Sequence, residues 1–213
     1  MRMTVFGAAG TAGIRIVDEA LTRGHEVTAV GRTIEGLRSL PAAVTVRSGD
    51  AADPEQVAAA AADSELVVSA TRPRPGHEYE LAVVARSLLD GLHGTGIRVL
   101  VVGGAGDLIV PGTDGARVME MPDFPPDWRP IARACQAQHD VFTTTATDVE
   151  WSYLSPSALL EPGARRGTYR LGGDELLTDD AGVSRISMED LAIAVLDEAE
   201  RPCHHRRRFT VGY

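Results

Sequence analysis

Short apolar runs rich in β-branched residues alternate along this chain with longer stretches whose apolar residues recur every three or four positions. MTVFG reads as a strand, and TAGIRIVDEALTRG follows with Ile14, Val17 and Leu21 on one helical face and Gly24 placed to cap its end. HEVTAV predicts a second strand, AVTVRS a third, DPEQVAAAAAD a helix entered through Pro54, and LVVSA a fourth strand. A helix over about Glu78–Leu92, a fifth strand at IRVLVVGG, a helix ending near Thr145 and a sixth strand at VEWSYLSP come next. GTYRLGG through ELLTD predicts a hairpin-like excursion. SRISMEDLAIAVLDEAE predicts a last helix capped by Ser187 and Asp190, and RRFTVGY a last strand. This alternation predicts an α/β fold, a doubly wound parallel sheet with helices on both faces. No repeat or linker divides the chain, so residues 1–213 read as a single domain, with a small C-terminal lobe over 156–185.

The regularity breaks at 104–130, where Gly, Pro and Asp dominate GAGDLIVPGTDGARVMEMPDFPPDWRP. Loops this long inside a domain are commonly functional. Met119, Met121, Phe124 and Trp128 are costly to leave in water, so the segment reads as an ordered lid or pocket wall.

Composition narrows the class. At 213 residues and 44% hydrophobic content, folding buries roughly 70% of the unfolded surface without disulfide or metal. Cys135 and Cys203 lack metal-ligand spacing and read as free thiols of a reducing, cytoplasmic protein. No window approaches the roughly 18 apolar residues of a membrane span, so no membrane partner is expected. The net charge of −9 does not favour a nucleic-acid partner, and the basic HHRRRF run from His204 reads as a solvated loop. All 21 basic residues are arginine; lysine and asparagine are both absent.

GAAGTAG, Gly7 to Gly13, lies between the first strand and the first helix. That placement turns backbone N–H groups at the helix N-terminus toward an anion, and a pyrophosphate fits. A Cβ at Gly7 or Gly10 would obstruct the turn or the phosphate, and Gly13 permits close helix–strand packing. A dinucleotide site of the NAD-preferring kind usually places a carboxylate about 20 residues further on. Here AVGRT occupies that place, and no acid lies between Glu26 and Glu35. Arg32, with Thr33 beside it, suits a 2′-phosphate and favours NADP(H) over NAD(H); the alternative is an ordinary surface arginine.

GAAGTAG, SGD at Ser48–Asp50, SAT at Ser69–Thr71, VVGGAGDL, WSYLSP and SRISMEDLA together resemble the atypical short-chain dehydrogenase/reductases of the NAD(P)H-binding, NmrA-like and biliverdin/flavin-reductase-like kind. The resemblance spans nearly the whole chain. It implies a Rossmann-type fold with Gly7, Gly10, Thr11, Ala12 and Gly13 at the pyrophosphate and Arg32 at the 2′-phosphate. It further implies Asp50 and Ala51 at the adenine, Ala70, Thr71 and Arg72 along the ribose and nicotinamide, and Gly103 and Gly104 near the nicotinamide. Family members often have threonine where Ala9 stands. Asp50 has a second reading, as a turn or helix-capping aspartate ahead of DPEQ.

The better-known enzymes of this superfamily use a Tyr-x-x-x-Lys pair and a supporting asparagine, and this chain can supply neither. Hydride addition to an isolated ketone needs a proton donor, which typically contributes 10²–10⁴ in rate. A conjugated acceptor depends on it less. His139, Tyr153 and Ser155 are the candidate catalytic groups, with Ser157, His77 and Asp107 behind them. Gly106 stands where flavin-reductase-like relatives carry a serine. Arg129 and Arg133, one helical turn apart, suit an acidic substrate or a solvated face. The expectation is an NADPH-dependent reductase of a small conjugated acceptor (flavin, quinone or enone), acting as a monomer or homodimer. The competing readings are an NADP(H)-binding redox-sensing regulator without turnover and an NAD(P)-dependent epimerase or isomerase.

Overall fold

A computed structural model describes residues 1–213. The strand β1 (Arg2–Phe6) leads into α1 (Thr11–Thr22), then β2 (Glu26–Gly31), β3 (Thr45–Ser48), α2 (Pro54–Ala61), β4 (Leu66–Ser69), α3 (Glu80–Leu92) and β5 (Arg98–Val102). After the lid segment come α4 (Arg129–Thr144), β6 (Trp151–Pro156), β7 (Leu159–Glu161), β8 (Arg170–Gly172), β9 (Arg185–Ser187), α5 (Met188–Glu200) and β10 (Arg207–Gly212). Eight strands form one sheet in the order β3-β2-β1-β4-β5-β6-β10-β8, parallel except for β8 at the edge. The chain winds outward from β1 in one direction and from β4 in the other. The crevice where the order reverses lies above the carboxyl ends of β1 and β4.

Both faces of the sheet are covered. Met3 and Val5 of β1 join α1 and α5 in one apolar core, while Phe6 faces α2, α3 and α4 in a second. Thr4 is also fully buried, and its hydroxyl is satisfied by the Ala60 carbonyl at 3.0 Å. The end of α1 follows the expectation for Gly24. With φ at +78°, Gly24 donates to the Leu21 carbonyl and His25 to the Ala20 carbonyl, each at 2.9 Å, closing the last turn. Asp53 caps α2 by accepting the amides of Glu55 and Gln56. No helix is long and apolar enough to cross a membrane.

Two expectations change. The stretch from Gly167 to Asp179 does not close on itself as a hairpin. Its strand β8 pairs antiparallel with β10, and the residues after it cross to the lid. There Ile109 donates its amide to the Asp174 carbonyl at 2.9 Å and accepts the Leu176 amide at 2.8 Å. At α5, Ser187 caps through its hydroxyl, accepting the Asp190 amide at 3.0 Å, but Asp190 has other work. Its buried carboxylate accepts the amides of Arg166 and Gly167 and the hydroxyl of Tyr213, anchoring the loop between β7 and β8. Local sequence favoured the hairpin and a reciprocal cap; β8 instead satisfies its main chain on β10, a strand distant in sequence.

The lid is ordered around short 3-10 turns at Val118–Glu120 and Pro126–Trp128. The Met119 amide donates to the Gly106 carbonyl at 2.8 Å and the Val118 amide to the Leu108 carbonyl at 3.0 Å. Trp128 remains 51% exposed, so its apolar surface does not explain the order; Leu108, fully buried, does.

Candidate functional site

A groove of about 490 Å³ opens at the carboxyl ends of β1, β2 and β4. The glycine-rich turn forms its floor, and the three glycines answer to different constraints. Gly7 sits at φ +76°, and a Cβ there would overlap the carbonyl of Ala70 at the end of β4. Gly13 has no room because a Cβ would run into the Gly7 carbonyl, so α1 can lie close to β1 only without it. Gly10 lines the groove, and its nearest obstacle is the Gly7 carbonyl at 3.1 Å. A side chain there would occupy groove space.

The helix beginning at Thr11 has no side-chain cap and no acid in its first turn. By helix geometry the amides of Thr11, Ala12 and Gly13 have no acceptor within α1, and their dipole favours an anion. A turn with glycine at Gly7 and Gly10, beside uncapped helix amides, fits a pyrophosphate.

Arg32 and Thr33 line the same groove beyond β2, with Asp50 and Ala51 beyond β3 and Thr71 and Arg72 beyond β4. Asp50 also makes a tight turn, its Oδ1 accepting the Ala52 amide at 2.9 Å, while Asp53 caps the helix. The aspartate therefore has both a turn role and a place on the wall. Thr11, Ala12, Gly13, Ala70, Gly103 and Gly104 stand outside the lining. Ala70 packs beneath Gly7; Gly103 lies against the Tyr153 ring; a Cβ on Gly104 would come within 2.9 Å of the Cys135 sulfur. Packing alone accounts for the bareness of these last two glycines.

The opposite wall comes from α3 and the turn before it. Tyr79, Glu80, Leu81, Val83 and Val84 line the groove, and the sequence reading missed all five. Tyr79 and Val83 fall off the stripe of Leu81, Val84 and Leu88 that helical spacing sets, which is the signal the sequence carried; in the structure they are 65% and 43% exposed. Glu80 matters most, because its Oε2 stands 3.9 Å from Arg32 Nη1 and its Oε1 stands 3.4 Å from His77 Nδ1. A carboxylate therefore does face the second-strand arginine, but from α3.

The candidate catalytic groups do not open on this groove. Tyr153 is fully buried between β6 and α4, donating to the Cys135 carbonyl at 2.9 Å and sharing the Gln138 Oε1 at 3.1 Å. Burial, with the Cys135 thiol and Asp107 nearby, holds its phenol well above its ordinary value. His139 packs against the Tyr153 ring with centroids 4.8 Å apart, its Nδ1 3.7 Å from Asp107 Oδ2. Burial, reinforced by the Arg208 charge, pushes this imidazole below its ordinary value against the pull of Asp107. Asp107 is held by Arg208 at 2.6 Å. Ser155 is fully buried with no partner for its hydroxyl, and Ser157 donates to the Val211 carbonyl at 2.8 Å. The candidates His139, Tyr153, Ser155 and Ser157 therefore do not line the groove: α4 covers Tyr153, and Ser157 is turned to β10. Burial also sets Cys135 apart, pushing its thiol up to about 12, while Cys203 is exposed.

Residues 7–199 match the NAD(P)H-binding family. The uncharacterized protein YwnB of Bacillus subtilis is 37% identical over 216 residues, covering 99% of this chain and 98% of the relative. A proposed NADH-flavin reductase from Streptococcus pneumoniae superposes with a TM-score of 0.90 at 32% identity, covering 100% of this chain and 99% of the other. A proposed epimerase from Bacteroides thetaiotaomicron does so with a TM-score of 0.89 at 36% identity, covering 100% and 96%.

Proposed function

The chain belongs to the NAD(P)H-binding family, and we propose that it is an NADPH-dependent reductase passing hydride to a small conjugated acceptor. The observation that carries this reading is the groove itself: a glycine turn beside uncapped helix amides, with Arg32 on the wall where a 2′-phosphate would lie. The similarity to a proposed NADH-flavin reductase supports the reaction type.

The nicotinamide nucleotide supplies the hydride when bound. The chain's own contribution is to bind and orient. The amides of Thr11, Ala12 and Gly13 receive the pyrophosphate, Tyr79 and Val83 offer apolar surface to the adenine side, and Thr71 and Arg72 extend toward the reacting end. None of the buried side chains at β6 offers an accessible proton, so an acceptor that delocalises the incoming charge suits the site better than an isolated ketone. The same absence disfavours an epimerase, which needs an acid and a base on the substrate. It favours one competing reading, a regulator that senses NADP(H) without turnover.

Mixing the protein with NADPH and a panel of flavins, quinones and enones tests the proposal through the absorbance of the reduced nicotinamide. Acceptor-dependent loss of that absorbance is expected. Tight NADPH uptake with no acceptor oxidising it would transfer the assignment to the regulator.

A further inference from the structure

A second recess, of about 480 Å³, lies between the lid and the start of α4, lined by Arg117, Met119, Glu120, Arg129, Arg133 and Gln136. Such a volume is in the range of small-ligand sites. Its walls are fixed. The Met119 amide is bonded to the Gly106 carbonyl, and Gly106 packs so closely on Ala132 that a Cβ there would lie 2.5 Å from that of Ala132. Lid and helix are thereby clamped together just after β5. Arg117 faces the recess from the lid, and Arg129 and Arg133 face it from successive turns of α4.

Two observations point to an anionic occupant. Three arginines line one recess, and none of them has a carboxylate within ion-pairing distance, in a chain carrying a net charge of −9. The one acid on the wall, Glu120, turns its Oε2 back to accept the Arg117 amide at 2.8 Å. Independently, Arg129 is the first residue of α4, which has no side-chain cap and no acid in its first turn. Cations normally gather at the opposite end of a helix, where the dipole attracts them. Arg129 in the first turn opposes the dipole, Arg117 and Arg133 add like charge beside it, and a bound anion relieves both.

We propose that this recess holds an anionic group, a carboxylate or phosphate, carried by the acceptor. Its place beside the segment leaving β5, at the carboxyl edge of the sheet, would let a conjugated ring reach the crevice while its acidic arm is held by arginine. The identification with the acceptor rests on the reductase reading; the anion site does not.

FMN and riboflavin, which differ by one phosphate, separate the two. Calorimetry without nicotinamide nucleotide should show FMN binding about tenfold or more tightly than riboflavin at low salt, the charge-assisted bonds to phosphate being the difference. The gap should close at high salt and in the double variant R117Q/R133Q, whose positions are half-buried and exposed and whose fold is checked by its melting temperature. R117K/R133K should recover part of it. With NADPH present, the double variant should raise KM for FMN and leave the affinity for NADPH unchanged. Equal binding of the two flavins, binding of neither, or a phosphate preference that survives R117Q/R133Q would overturn the proposal. Selective FMN binding with no turnover would leave the anion site standing and sink the reductase reading alone.

Discussion

Replacing Arg32 by glutamine isolates the group assigned to the 2′-phosphate. Its guanidinium is 51% exposed and 3.9 Å from Glu80, so it is neither desolvated nor free. A hydrogen bond to a charged group contributes about 1.5–3 kcal/mol, and half exposure argues for the lower part of that range. Detaching Arg32 from Glu80 costs at most about 1 kcal/mol, the worth of an exposed ion pair. The net preference is then about 0.5–2 kcal/mol, roughly two- to thirtyfold in affinity. R32Q should weaken NADPH binding by about tenfold and change NADH binding by less than about twofold. E80Q should move the other way. It frees the arginine and removes a negative charge from the same wall, an interaction of about 1 kcal/mol for unit charges about 4 Å apart in water, and so gains a few-fold for NADPH. Titration of each variant with both nucleotides, followed by the fluorescence of the bound dihydronicotinamide, reads these ratios. An unchanged NADPH-to-NADH ratio in R32Q, or an E80Q variant that weakens both nucleotides alike, would refute the assignment.

Three further outcomes are expected. G7A adds left-handed strain of about 1–2 kcal/mol to its overlap with the Ala70 carbonyl, so it should melt well below G24A, where the strain is similar and nothing lies within 4 Å; it should also lose nucleotide uptake by calorimetry. Y153F removes the one hydroxyl proton that the Cys135 carbonyl and Gln138 Oε1 share and should cost about 1–2 kcal/mol in urea unfolding, with turnover unchanged; a large fall in kcat would restore the tyrosine as an acid. Stability should decline on the acid side in two stages. The His139 imidazole is held below its ordinary value, so the unfolded chain takes up that proton first and stability falls as pH drops below about 6.5. At Glu198 burial raises the carboxyl, but bonds from the His204 ring and the amides of His204 and Cys203 win and hold it low. Its contribution is present above about pH 4.3 and lost as pH falls through the folded value. H139Q should flatten the first stage, and E198Q should lessen the second, which Glu189 and Asp197, also held low, share; both are read from urea midpoints across that range.

The glycine turn and the order of the elements were legible because both depend on neighbours in sequence. A strand, three glycines and an amphipathic helix are contiguous, although the contact that keeps Gly7 bare, the Ala70 carbonyl, comes from β4. The partner of Arg32 was not legible, since Glu80 lies 48 positions along and arrives there only because β4 inserts beside β1. The orientation of Tyr153 was hidden for another reason. Every residue of WSYLSP is buried, and a strand covered on both faces shows no polar alternation from which to tell the sides apart. The edge role of β8 depended on a partner, β10, encountered only at the chain's end.

Ile109 ties the lid to the stretch that follows β8, and β8 is zipped to the last strand. Residues 104–130 and the β8–β10 pair are therefore coupled through main-chain bonds, and a displacement at Ile109 would pull on the outermost strand of the sheet.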